Sequence, residues 1–140
     1  HWFGAAPTLQ QDIRGPRAEA IIAQLPEAVA AYPYAETYRV WPGPNSNTFI
    51  AYLGREIPEL RLALPGNAIG KDYVGSALIA TAPSGTGFQV SFGGLFGVLL
   101  AKREGLEVNI LGLVTGINPL ELSLTLPGVG RIPDRPVKND

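Results

Sequence analysis

The feature that most constrains this chain is a change in the spacing of its apolar residues near Ser76. Before that point they recur at helical intervals, and after it they alternate with polar residues every second position. A helical face needs a period near 3.6 and a half-covered strand a period of two, so one chain with both in blocks reads as helices first and a sheet afterwards. That order is the α+β pattern.

Within the first block, Ile21, Ile22, Leu25 and Val29 mark an apolar face between Gly15 and Tyr32, and Pro16 suits a first-turn position. The spacing predicts a helix there, kinked or restarted at Pro26. Thr37 to Trp41 alternates and is rich in β-branched and aromatic residues, which predicts a short strand ending at Pro42. The run Pro42-Gly43-Pro44-Asn45-Ser46-Asn47 must turn, and Phe49, Ile50, Leu53 and Ile57 follow at helical spacing. A second helix therefore starts near Ser46 and stops before Pro58, with Asn45, Ser46 and Asn47 as alternative caps and no capping-box glutamate.

Ala63 to Gly75 reads as a loop, with Lys71-Asp72-Tyr73 as its polar centre. In the second block Phe88, Val90 and Phe92 alternate with Gln89 and Ser91, which predicts an apolar core face and a polar face toward water or a partner. Gly97 to Ala101 and Leu106 to Leu111 flank Lys102-Arg103-Glu104-Gly105, a hairpin turn with Gly105 left-handed. Leu120 to Leu126 gives a last strand with one wet face, and 127–140 a loose tail. The expected architecture is one domain over 1–140: two helices followed by a mostly antiparallel sheet of four or five strands.

A net charge of -1 with scattered Lys and Arg lacks the basic footprint that nucleic acid requires. The absence of cysteine removes thiol catalysis and thiolate metal sites. Ser84 to Ala101 is uncharged, but its glycines and polar residues break it as a membrane span. Any membrane association is therefore expected through a segment outside this chain. The chain opens at His1 and contains no methionine, which points to a longer precursor or a longer parent sequence.

The strongest site candidate is the turn and helix start at Ser46, because helix N-termini hold unbonded donors and favour negative charge. A helix dipole supplies at most about 2 kcal/mol, too little to ionise a serine hydroxyl, so Ser46 would need a general base. The one histidine, His1, is at the terminus. Lys71 could serve with Asp72 orienting it, although the pair reads equally as solvated loop residues. His1 has no second histidine to complete a copper site, and carboxylates do not cluster at ligand spacing, so neither metal nor cofactor is expected. Ser84-Gly85-Thr86-Gly87 and Phe92-Gly93-Gly94 lack a following Gly-Lys-Ser/Thr and read as turns and bulges rather than a phosphate loop.

Trp41-Pro42-Gly43-Pro44-Asn45-Ser46-Asn47-Thr48-Phe49, with Ala68-Ile69-Gly70-Lys71-Asp72-Tyr73 and Ala82-Pro83-Ser84-Gly85-Thr86-Gly87, resembles a bacterial family catalogued as a domain of unknown function. The resemblance covers residues from about Phe3 to Arg131. It implies the C-terminal part of a longer periplasmic or cell-envelope protein, with a hydrophobic segment and a histidine-bearing strand upstream. The Asn-Ser-Asn-Thr-Phe helix start also resembles circularly permuted papain-like proteins, the lecithin retinol acyltransferase relatives and NlpC-type peptidases, which carry Asn-Cys there. That likeness implies Ser46 in the nucleophile position with Asn45 beside it. Serine replaces cysteine, and the matching histidine lies outside this chain. Asn45, Asn47, Thr48, Lys71 and Asp72 are the binding candidates around it.

Three functions remain open: a non-catalytic or binding module with a polar site at Ser46, a serine hydrolase or acyltransferase completed by an upstream histidine, and a structural subunit of a larger assembly. The expected partner is an upstream segment of the same protein or a partner chain.

Overall fold

The computed structural model describes residues 9–133. Its elements are α1 (Pro16–Ala30), α2 (Ser46–Glu56), a short 3-10 turn (Pro58–Leu60), and seven strands: β1 (Ile79–Thr81), β2 (Gly87–Phe92), β3 (Phe96–Ala101), β4 (Gly105–Ile110), β5 (Leu113–Asn118), β6 (Ser123–Leu126) and β7 (Gly130–Ile132). The strands form one antiparallel meander in sequence order, so every neighbour is joined by a local connection. The class is α+β, with more strands than the expected four or five.

Pro26 does not divide α1, which runs through it as one helix. The carbonyl that loses its partner belongs to Ile22, an exposed residue on the solvent side, where the loss costs least. Ile21 and Ala28 are buried against Leu53 of α2 and Ile57, its C-cap residue, with Leu25, Phe49, Tyr52 and Leu60 closing the cluster. Ile22 and Val29, expected on that face, stay exposed. Rings add to this core: Tyr32 meets Phe49, Tyr52 and Tyr34 edge-on at centroid distances of 5.0, 5.2 and 5.5 Å, and Tyr34 meets Tyr73 at 5.5 Å. Such contacts contribute about 0.5–1.5 kcal/mol each beyond burial.

Thr37 to Trp41 is not a strand. It is exposed and irregular, with Arg39 N–H donating back to the Pro44 carbonyl at 2.7 Å, because no neighbouring strand accepts its ladder. In the second block β1, β5 and β7 were not expected, and β7 falls inside the stretch read as a loose tail. Leu120 and Leu122 belong to the β5–β6 connection, leaving β6 shorter than expected. Gly105 is left-handed as expected, at φ 84°.

The main correction concerns which side of the sheet faces inward. Gln89 and Ser91 are fully covered, while Phe88 and Phe92 are more than half exposed. Pairing carries the same polarity across the sheet. On the inner side Gln89 lies opposite Leu99, followed by Glu107, Gly116, Thr125 and Arg131; Ser91 is followed by Gly97, Asn109 and Val114. On the outer side one row runs Thr81, Phe88, Leu100, Leu106, Ile117, Leu124 and Ile132 through all seven strands. A second runs Ile79, Val90, Val98, Val108 and Thr115, and a third Phe92, Phe96, Ile110 and Leu113. These outer rows contain no charged side chain. Alternation fixes which residues share a side and leaves open which side is covered. Here the inner side meets hydrogen-bonding groups of α2 and of the loop at 61–78, so its polar residues are covered together with Leu99 and Val114, and most of the apolar ones are left outside.

Candidate functional site

The start of α2 is organised by Asn45, the N-cap, whose extended backbone (φ -141°) turns its side chain over the first turn. Its Oδ1 accepts from Asn47 N at 3.0 Å and Thr48 N at 3.1 Å, and its Nδ2 donates to the carbonyls of Val40 at 2.9 Å and Ile69 at 3.0 Å. The amide thus joins the helix, the preceding turn and the loop at Ile69. Thr48 plays the part expected of a glutamate, since its Oγ1 accepts from Asn45 N at 3.1 Å, completing a capping box. The same hydroxyl donates to the Gly70 carbonyl at 2.7 Å, and Asn47 Nδ2 donates to Ile69 at 2.8 Å. Gly70 has φ 98°, and a Cβ built there would lie 2.4 Å from the Asn45 amide, so only glycine allows this approach. Trp41 Nε1 donates to Leu111 O at 3.0 Å and ties the turn to the β4–β5 hairpin.

Ser46 is left out of this network. It is the first residue of α2, exposed, with no side-chain hydrogen bond among the described residues. The cap alternatives therefore resolve at Asn45, and Ser46 presents an exposed hydroxyl at a helix start whose Asn47 and Thr48 N–H groups already donate to Asn45. His1 lies outside the described residues.

Lys71 and Asp72 do not form a solvated pair. Lys71 is 1% exposed, and its ammonium lies 3.0 Å from Asp72 Oδ1 and 2.8 Å from Glu107 Oε2 on β4. Burial works to strip the proton, but the Asp72 and Glu107 carboxylates outweigh it and hold the Lys71 pKa above the ordinary lysine value. A base needs a depressed pKa, so this burial fixes a cation and does not make Lys71 a proton acceptor. Both of its carboxylates lie on the sheet side, and no bond joins Lys71 to Ser46.

Around this ion cluster the loop backbone is held by the sheet. Ser91 Oγ donates to Asp72 O at 2.6 Å and Gln89 Nε2 donates to it at 3.3 Å. Arg55 of α2 donates to Thr81 O, Lys71 O and Gln89 Oε1 at 3.0, 3.0 and 2.9 Å. Asp72, Gln89, Glu107 and Asn109 line a cavity of about 10 Å³, and Glu107 Oε1 has no hydrogen-bond partner among the described residues. A polar cavity of that size holds one water at most. Further along, Ser84 donates to Glu104 through both N at 3.1 Å and Oγ at 2.6 Å; burial raises the Glu104 pKa against those bonds.

Of the expected site residues, then, Asn45, Asn47 and Thr48 converge with the loop at Ile69 and Gly70, Ser46 stands exposed beside them, and Lys71 with Asp72 faces the sheet. Arg55, Gln89 and Glu107 are the members that sequence reading missed. Gln89 and Glu107 are polar positions in the alternation of β2 and β4, brought to one row through Leu99 of β3, and that alternation was the available signal. Among the described residues no helix is long and apolar enough to cross a membrane.

No curated protein and no solved structure matches the chain. A family model described as "Protein of unknown function (DUF3750)" matches residues 1–73, a span that takes in both helices, the Asn45 cap and the loop through Asp72 and stops before the sheet. The match covers just over half of the 140 residues, and the chain belongs to that uncharacterised family.

Proposed function

We propose that this chain is a non-catalytic interaction module of a bacterial cell-envelope protein, whose contact surface is the outer side of the seven-stranded sheet. One observation carries the reading: three paired rows, all Phe, Leu, Ile and Val apart from Thr81 and Thr115, face outward, most of them exposed and none of them charged. Exposed apolar patches beyond a few hundred Å² mark interaction surfaces on soluble proteins. The buried ions and amides on the other side hold the sheet to α2 and the loop, so the outer side is presented on a braced scaffold. In this reading the Asn45 cap with Thr48 and the Lys71 cluster are structural, and the polar edge at Ser46 and Asn47 is a secondary binding point. The envelope location and the papain-like ancestry follow from the family resemblance.

Thiol accessibility in native extracts tests it, since the chain has no cysteine of its own. Leu100→Cys is expected to resist maleimide while Glu27→Cys on α1 reacts freely; equal rates at both positions would overturn the reading.

A second reading is favoured by the exposed hydroxyl of Ser46 at the start of an eleven-residue helix. In it, an upstream histidine completes a serine hydrolase or acyltransferase of papain-like ancestry. A fluorophosphonate probe separates the two.

A further inference from the structure

We infer that the partner on the outer face of the sheet is a second copy of this chain, packed face to face about a two-fold axis through the middle of the meander. The inference rests on the interaction reading above and names its partner. Size is the first argument. Phe88, Phe92, Leu100, Ile110, Leu113 and Ile117 are each about half exposed, and the remaining outer positions extend the surface in all directions. At roughly 90 Å² for a half-exposed large side chain, the face offers on the order of 1,000 Å², against about 800 Å² per partner in a standard stable interface. The face is therefore large enough for a dimer by itself, with no contribution from another element.

Chemistry is the second. A two-fold contact sets a surface against itself, so any charge near the axis would meet its own like charge. The outer rows contain none, and their centre is Val98 and Val108, small branched residues flanked by larger Phe and Leu rows. Two such sheets can interdigitate at the roughly 10 Å separation of a sandwich. A bilayer fits less well. Strands of at most six residues reach about 20 Å, short of the roughly 30 Å hydrocarbon core. The rows also lack the Lys, Arg and Trp anchors of an interfacial binder, and the chain's net charge of -1 gives anionic lipid no attraction.

Val108 lies in the middle strand and the middle row, so a two-fold through the middle of the meander brings its two copies close. The test is cross-linking of the full chain carrying Val108→Cys, with a bis-maleimide of about 10 Å reach, beside Glu27→Cys as the control and Val98→Cys as a second central position. Covalent dimer from Val108→Cys and Val98→Cys, but not from Glu27→Cys, is expected. Protection of Leu100→Cys without cross-linking at either central position would overturn self-pairing and leave the interaction reading standing. Free reaction at all positions without dimer would overturn both. Protection that appears only on adding phosphatidylglycerol vesicles would overturn self-pairing in favour of a lipid surface.

Discussion

The Lys71 ammonium lies 2.8 Å from the Glu107 carboxylate, a contact that ties the loop following α2 to the central strand of the sheet through a fully buried ion pair. Asp72 supplies a second carboxylate to the same cation at 3.0 Å. Removing the cation strands two acids out of water. Lys71→Met is expected to lower unfolding free energy by about 3–5 kcal/mol, the usual penalty for breaking a buried pair from one side. Lys71→Met/Glu107→Met should recover part of that loss. Urea unfolding followed by circular dichroism measures both, and additive losses would show that the two residues do not interact.

Two buried groups give opposite halves of a pH profile. Lys71 has a raised folded pKa, so its stabilisation is complete below the ordinary lysine value of about 10.4 and disappears only as pH climbs through the higher folded value. Glu104 is also raised, in its case by burial, so its contribution is complete below about pH 4.3 and declines as pH rises through its folded pKa. Glu104→Gln is therefore expected to flatten the decline in stability from pH 4.3 upward. Melting temperatures across that range check it, and an unchanged slope would show that Glu104 ionises without cost.

At the helix start the weight falls on Asn45. Asn45→Ala gives up the cap and two bonds to carbonyls and is expected to cost about 2 kcal/mol or more, whereas Ser46→Ala should stay within about 0.5 kcal/mol. Gly70→Ala should cost at least about 1 kcal/mol, because it combines a left-handed backbone with a Cβ pressed on the Asn45 amide. Chemical denaturation of the three variants ranks them; a larger loss at Ser46 than at Asn45 would contradict the capping geometry.

Polarity of the sheet gives a counterintuitive comparison. Gln89→Leu makes a strand more apolar, yet it removes the acceptor of Arg55 and a donor to Asp72 O, and should cost about 1–3 kcal/mol. Phe88→Gln, in the same strand, removes a large apolar side chain from the outer row and should leave the fold of a protomer intact. Circular dichroism of the two proteins checks the order, and unfolding by Phe88→Gln alone would restore the apolar side as the core.

Much of the first block was legible. Pro16, the Pro-Gly-Pro turn and the Asn45 to Asn47 run punctuate the chain strongly enough to place both helices. Thr48 was named as a binding candidate, but its capping role was missed because its hydroxyl stands in for a glutamate, a substitution that spacing alone does not reveal. The Lys71 cluster was missed because its second carboxylate, Glu107, is thirty-six positions away and reaches it only through the meander. Along β2 the alternation was read correctly and its sides reversed, since a period of two assigns partners to faces but carries no label for the face that α2 and the loop cover. The short strands β1 and β7 have three residues each, too few for any period to show.

Ser46 has no base within the described residues, so fluorophosphonate labelling of this chain is expected to be nil. Labelling that disappears in Ser46→Ala would contradict the non-catalytic reading. Labelling confined to a longer protein that adds an upstream histidine would support the hydrolase alternative.

The open outer face is tested most directly by the mass of the protein in solution, by light scattering at several concentrations, for wild type and for Leu100→Ser/Leu106→Ser/Ile117→Ser in the central strands of the longest row. A wild-type mass of twice the 14.9 kDa of one chain, reduced to one chain in a variant that keeps its circular dichroism spectrum, is the expected result. A wild type that stays a folded 14.9 kDa monomer at every concentration, with the same mass in the variant, would contradict it.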